Sequence, residues 1–172
     1  KFNSNGVRQW ATYYGGSGND YGNSCAVDGS GAVYLAGYTR SANNIASGGH
    51  QNSYGGNDDA FLVKFNSNGV RQWGTYYGSG GNQLGSSCAV DGSGDVYLAG
   101  ATESGNIASG GHQNSYGGGV SDAFLVKFNS NGVRQWATYY GGSNEDNGAS
   151  CAVDGSGDVY LAGRTNSTNN IA

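Results

Sequence analysis

Short runs of alternating apolar and polar residues, each closed by a Gly- or Asn-containing turn, recur along the whole chain. In Asp59-Ala60-Phe61-Leu62-Val63-Lys64-Phe65 the larger apolar side chains alternate, which is the period of a β-strand. Asn66-Ser67-Asn68-Gly69 follows, and its Asn-Gly favours positive φ in a tight turn. Val70-Arg71-Gln72-Trp73-Gly74-Thr75-Tyr76-Tyr77, rich in aromatic and β-branched residues, predicts the returning strand. A Gly/Ser/Asn loop leads to Ser87-Cys88-Ala89-Val90, and Asp91-Gly92-Ser93-Gly94 turns the chain into Asp95-Val96-Tyr97-Leu98-Ala99-Gly100. Four short strands are predicted here. Glu103 to Ser121 has no helical periodicity and reads as a long surface connection.

This block is one period of a repeat. Cys25, Cys88 and Cys151 are separated by 88 − 25 = 63 and 151 − 88 = 63 residues, and Trp10, Trp73 and Trp136 by the same offset. The units are residues 1–63, 64–126 and an incomplete 127–172, read as one continuous repeat domain excerpted from a longer array. A deletion before Ile107 and an insertion before Ala123 cancel, so strand register survives the length changes in the long connection. A small sheet that is apolar on both faces buries them only when neighbours stack on it. The expected fold is therefore all-β: tandem four-stranded antiparallel blades in an open or partial β-propeller.

The order and spacing of Asp-Ala-Phe-Leu-Val-Lys-Phe, Trp-x-Thr-Tyr-Tyr-Gly, Cys-Ala-Val-Asp-Gly-Ser-Gly, Val-Tyr-Leu-Ala-Gly and Ser-Tyr-Gly-Gly resembles the SBBP-type β-propeller repeats of large secreted bacterial proteins. The resemblance departs at Ile45-Ala46-Ser47-Gly48-Gly49-His50-Gln51, where members of that family usually carry prolines and a Phe. It implies a propeller at the cell surface or outside the cell, with no catalytic residues to carry over. Blade order in related propellers implies the Cys88 strand innermost, then the Val96 and Phe124 strands, with the Trp136 strand outermost. Lys1 to Gly18 would then supply two outer strands, and Glu145 to Ala172 two inner strands, of blades completed elsewhere. Head-to-tail contact between copies is expected from such half-blades.

Composition narrows the function. The chain has 34 Gly, no Pro or Met, 12% aromatic and only 12% charged residues, far from average globular usage. Net charge is −4, and the eight Lys and Arg are spread through the repeats rather than forming a basic stripe, which excludes nucleic acid as the expected partner. No apolar stretch approaches the roughly 18 residues that a membrane helix needs, so no membrane insertion is expected.

Asp91, Ser93 and Asp95, repeated as Asp154, Ser156 and Asp158, place oxygens at alternate positions as the first half of a calcium loop does. No bidentate Glu follows, and Ala32 replaces the last Asp in the first copy, so these read as Gly-rich structural turns, with no metal and no cofactor expected. His50 and His112, in Gly-Gly-His-Gln, have no carboxylate fixed beside them and read as loop residues. The three cysteines read as small apolar groups on a buried strand, with bridging between blades or chains left open. Trp10, Trp73, Trp136, Tyr14, Tyr77 and Tyr140 would form sugar-stacking rows if exposed, and core packing explains them equally well.

No nucleophile, P-loop or paired-carboxylate motif stands out, and near-identical copies argue against a unique asymmetric active site, so an enzyme is not expected. The leading expectation is a non-enzymatic extracellular structural or adhesive scaffold. The alternatives are a subunit of a self-assembling extracellular filament and a multivalent, lectin-like propeller. Expected partners are copies of the chain or further repeats of it, with surface glycans as the other class.

Overall fold

The computed structural model describes residues 1–171 and contains ten strands: β1 (Asp20–Val27), β2 (Val33–Thr39), β3 (Asp59–Phe65), β4 (Arg71–Tyr77), β5 (Gln83–Val90), β6 (Val96–Thr102), β7 (Asp122–Phe128), β8 (Arg134–Tyr140), β9 (Asp146–Val153) and β10 (Val159–Thr165). No helix occurs among the described residues. The strands form two four-stranded antiparallel sheets, ordered β1-β2-β3-β4 and β5-β6-β7-β8, and a two-stranded sheet of β9 and β10. The sheets are open, and their first strands converge, with β5 packed against both β1 and β9. A blade straddles the boundary between residues 63 and 64, because the tight β3–β4 hairpin holds both sides of it in one sheet.

The hairpin turns obey local rules. Asn66 Oδ1 accepts the N–H groups of Asn68 and Val70, both at 3.0 Å, while Gly69 N–H donates to the Asn66 carbonyl at 2.9 Å. Gly69 has φ 80°, but Asn68 does not lie in the left-handed region. The Asn-Gly pair thus forms a turn with a single left-handed glycine, followed by a bulge in β4, rather than a two-residue turn with both residues at positive φ.

Both faces of a central strand are buried, as seen in β6 and in β3 apart from half-buried Lys64. The apolar side chains form one layer per junction. Tyr34, Ala36, Leu62, Trp73 and Tyr77 of the first blade meet Cys88, Leu98, Phe124, Val126 and Phe128 of the second in one cluster. A smaller cluster joins Tyr97, Ala99 and Leu125 to Cys151, Val159 and Leu161 of the next sheet. Burial of this kind stabilises by about 25 cal/mol per Å² of apolar surface, and no single sheet obtains it alone.

The long connection caps the outer edge of its own blade. Ser47 exchanges two backbone hydrogen bonds with Gly74, at 2.8 and 3.0 Å, and Tyr76 N–H donates to the Gln51 carbonyl at 3.0 Å. Ser109 and Gln113 do the same for Ala137 and Tyr139 in the second blade. A strand edge that would otherwise recruit another chain is thereby covered. The expected pair of outer strands in Lys1 to Gly18 does not form: Phe2 and Arg8 make an isolated bridge only. The reason lies in sequence, since Lys1-Phe2 supplies only the last two residues of an Asp-Ala-Phe-Leu-Val-Lys-Phe strand.

Candidate functional site

The recurring chemistry lies at the seam between successive blades. Trp73 Nε1–H, on outer strand β4, donates to the Ser130 carbonyl in the next blade's β7–β8 turn at 3.0 Å, and Trp10 makes the same bond to Ser67. Gly132 seats the indole: a Cβ there would lie 2.8 Å from Trp73 Cδ2, and its φ of 78° also suits glycine. Tyr77 O–H donates to the Ile107 carbonyl at 2.7 Å, Tyr14 O–H to Ile45 at 2.5 Å, and Tyr140 O–H to Ile171. Tyr34 and Tyr97 reach across to the carbonyls of Gly94 and Gly157. The Tyr77 ring stands 5.4 Å from Phe124, as Tyr14 does from Phe61. Burial pushes the Tyr14, Tyr34 and Tyr77 hydroxyls well above the ordinary tyrosine range, so they serve as fixed donors.

The packing covers two of the candidate sugar-stacking residues. Trp73 and Tyr77 are 5% and 2% exposed, because the next blade lies on them. Trp10, Trp136 and Tyr14 are half-buried, and only Tyr140, 39% exposed, faces outward to any extent.

The cysteines stand on the converging inner strands. Cys88 N–H donates to Ser24 Oγ at 3.1 Å, and Cys151 N–H donates to Ser87 Oγ at 3.2 Å, so each bond joins neighbouring blades. All three thiols are free; Cys88 and Cys151 are buried and Cys25 is exposed. Burial, only partly offset by the Ser24 hydroxyl, pushes the Cys88 thiol up to about 12, and burial also raises Cys151. Such thiols are poor nucleophiles at neutral pH.

The acidic turns spend their oxygens internally. Asp91 Oδ1 accepts the N–H groups of Ser93 and Asp95 at 2.9 and 3.0 Å, while Lys127 Nζ lies 3.7 Å from Asp91 and 3.0 Å from Asp95. Asp154 Oδ1 accepts from Ser156 N–H, Ser156 Oγ–H and Asp158 N–H. No group of three metal-ligating His, Cys, Asp or Glu side chains gathers among the described residues. His50 is near the Tyr77 and Phe128 rings, at 6.5 and 6.1 Å, where burial and then Arg134 lower its pKa. His112 lines an open surface cavity with Tyr116 and Tyr140.

Sequence reasoning missed one set of groups. Asp59 and Asp122, at the starts of β3 and β7, are fully buried, each with one oxygen bonded to a backbone N–H (Gly55 at 2.5 Å, Gly117 at 2.6 Å) and Oδ1 unpartnered. Each sits against the first residue of the next blade. A Cβ on Gly78 would fall within 2.5 Å of both Asp59 Oδ1 and Gln83 Oε1, and one on Gly141 within 2.9 Å of both Asp122 Oδ1 and Asp146 Oδ2. Burial pushes both carboxyls up to about 6. The detectable signal was their recurrence at the same offset, at a strand start.

The profile of the SBBP β-propeller repeat matches residues 9–45 and 135–171. The chain thus contains SBBP β-propeller repeats. The second window runs from outer strand β8 through β9 and β10, and the first from the matching extended segment before β1 through β1 and β2, so each spans a seam. The tyrosine–isoleucine bonds Tyr14 to Ile45 and Tyr140 to Ile171 end at the last residue of each window. The chain is also 29% identical over 114 residues to the Regulatory protein FlaEY of Caulobacter vibrioides, an alignment covering 65% of this chain and 12% of that protein. It therefore spans about an eighth of that relative's length.

Proposed function

We propose that this SBBP repeat chain is a non-enzymatic extracellular scaffold, whose stacked blades hold residues that vary between copies, such as Tyr38, Ala101 and Arg164 on the matching strands β2, β6 and β10 and Arg40 just after β2, in fixed positions. The observation that carries this reading is the repetition of the seam. The side chains of Trp73 and Tyr77 and the amides of Cys88 and Cys151 each bond to the adjacent blade, so they are engaged in holding blades together. Residues that differ between copies lie away from those bonds; Arg40 pairs with Asp58 at 2.7 Å, and Arg164 pairs with Glu145, both at the surface. Such a surface suits adhesion through many modest contacts rather than one pocket. The FlaEY match reaches too little of that protein to carry a regulatory role here.

The lectin reading is disfavoured by the burial of Trp73 and Tyr77. Antibody labelling of intact producing cells tests the leading reading. Labelling without permeabilisation is the expected result, and labelling only after permeabilisation would contradict an extracellular scaffold.

A further inference from the structure

The seam bonds repeat from blade to blade, but the rim on which each seam opens does not. In the first blade that rim carries Tyr21, Tyr38, Arg40, Asn57 and Asp58; the second has Leu84, Ala101, Glu103, Val120 and Ser121 in their places. Strand register gathers the first set at one end of the sheet, with Tyr21 opposite Tyr38, Asp20 opposite Thr39 and Thr39 opposite Asp59. Both walls of this seam are present, since β1, β2 and β3 all pack against β5 of the next blade.

Two features stand side by side there. Tyr34 and Ala36 lie in the cluster between the blades, and strand alternation continues that series to Tyr38. The Tyr38 ring stacks on Tyr21, with centroids 4.7 Å apart and 21° between planes, while Tyr21 stays 44% exposed. The pair is therefore an open aromatic surface whose outer ring is held in place by the inner one. Beyond it, exposed Arg40 donates from Nε and Nη2 to the two oxygens of buried Asp58, at 2.7 and 3.0 Å. That fork fixes the guanidinium and leaves Nη1 unengaged among the described residues. Arg40, Tyr54, Asn57, Asp58 and Asn82 line an open cleft of 530 Å³, within the size range of small-ligand sites.

We propose that this cleft binds one neutral pyranose unit of a glycan, stacked on Tyr21 and hydrogen-bonded by Arg40 and Asn57. An aromatic face suits the C–H face of a sugar ring, and planar guanidinium and amide groups suit its hydroxyls. Charge selects a neutral ligand: Asp58 cancels Arg40, and Glu103, which accepts from Asn82 Nδ2 at 2.9 Å, repels an anion. The site is confined to the first seam and uses neither Trp73 nor Tyr77. At the next seam the cavity shrinks to 140 Å³, and Leu84, Ala101 and Glu103 supply neither aromatic pair nor guanidinium. The proposal deepens the scaffold reading by naming a ligand class for its variable residues, and it rests on that reading only for where the glycan is met.

The test displays the 172-residue chain on fluorescent beads, so that weak single contacts add up, over an array of neutral, sialylated and sulfated oligosaccharides. Binding to a subset of the neutral oligosaccharides is expected. A variant combining Tyr21→Leu, Tyr38→Ala, Arg40→Glu and Asp58→Ser carries only residues that the same fold holds one repeat later, so its circular dichroism should be unchanged. It is expected to lose binding roughly tenfold or more, and titration of the best neutral oligosaccharide into the original chain should shift the NMR signals of Tyr21 and Arg40. No binding, binding to acidic oligosaccharides alone, or equal binding by the variant would each overturn the proposal. None of these results depends on where the protein resides in the cell, so failure here and failure of the surface-labelling experiment are distinguishable.

Discussion

Ser24 Oγ accepts the backbone N–H of Cys88 from the adjacent blade, and one repeat later Ser87 accepts that of Cys151. These bonds tie the inner strands together where β1, β5 and β9 converge. Ser87→Ala would leave the Cys151 amide unpartnered beside a buried thiol. The expected cost is about 1–3 kcal/mol, read as a lowered urea midpoint with an unchanged slope.

At the outer end of the same seam, Trp73 combines packing with one hydrogen bond to Ser130. Trp73→Ala is expected to destabilise by about 3–5 kcal/mol, and Trp73→Phe by clearly less, since Phe forfeits the indole donor but keeps most of the apolar contact. Thermal unfolding of the two variants checks this order.

Thiol reactivity follows the geometry of the inner strands. Cys25 is exposed, while Cys88 and Cys151 are buried with raised pKa values. A thiol-specific chromogenic reagent at neutral pH is expected to modify one cysteine rapidly and the other two only on unfolding. Rapid modification of all three would show that the seam opens readily.

Acidity should stabilise the chain over a defined window. Burial, opposed by the Gly55 or Gly117 N–H, raises Asp59 and Asp122 from 3.8 to about 6. The folded chain holds these protons more tightly than the unfolded one, so each carboxyl's contribution falls as pH rises from about 4 to 6 and is flat above. Asp28 and Asp146, where hydrogen-bond donors outweigh burial, and Asp154, held down by Ser156 and Tyr160, act the other way, losing their contribution below 3.8. The melting temperature should therefore be higher near pH 4.5 than at pH 7, and Asp59→Asn with Asp122→Asn should flatten the difference.

The acidic turns are satisfied by their own amides, so neither calcium nor a chelator is expected to move the melting temperature. A drop on adding chelator would place a metal at Asp91 or Asp154.

Much of this fold was legible because the 63-residue offset repeats every strand and turn signal, as in Asp59–Phe65 and Asp122–Phe128. Partners remote along the chain were not. Ser24 lies 64 residues from Cys88, and nothing in the local pattern marks it as that amide's acceptor. The edge-capping role of Ser47 and Gln51 was hidden because a Gly- and Asn-rich connection pairs through its backbone and carries no side-chain period. Asp59 and Asp122 read only as the polar first residues of strands, whereas in the fold they are fully buried beside Gly78 and Gln83, and beside Gly141 and Asp146.

Residue-resolved hydrogen exchange on the intact chain tests the central claim, that one seam repeats between blades. The amides of Cys88 and Cys151 are expected to be protected together, as strongly as the amides of central strands β3 and β6. Exchange of both at the rate of exposed turn amides such as Asn68 and Asn131, with the sheets themselves still protected, would show independent sheets without the seam and would contradict it.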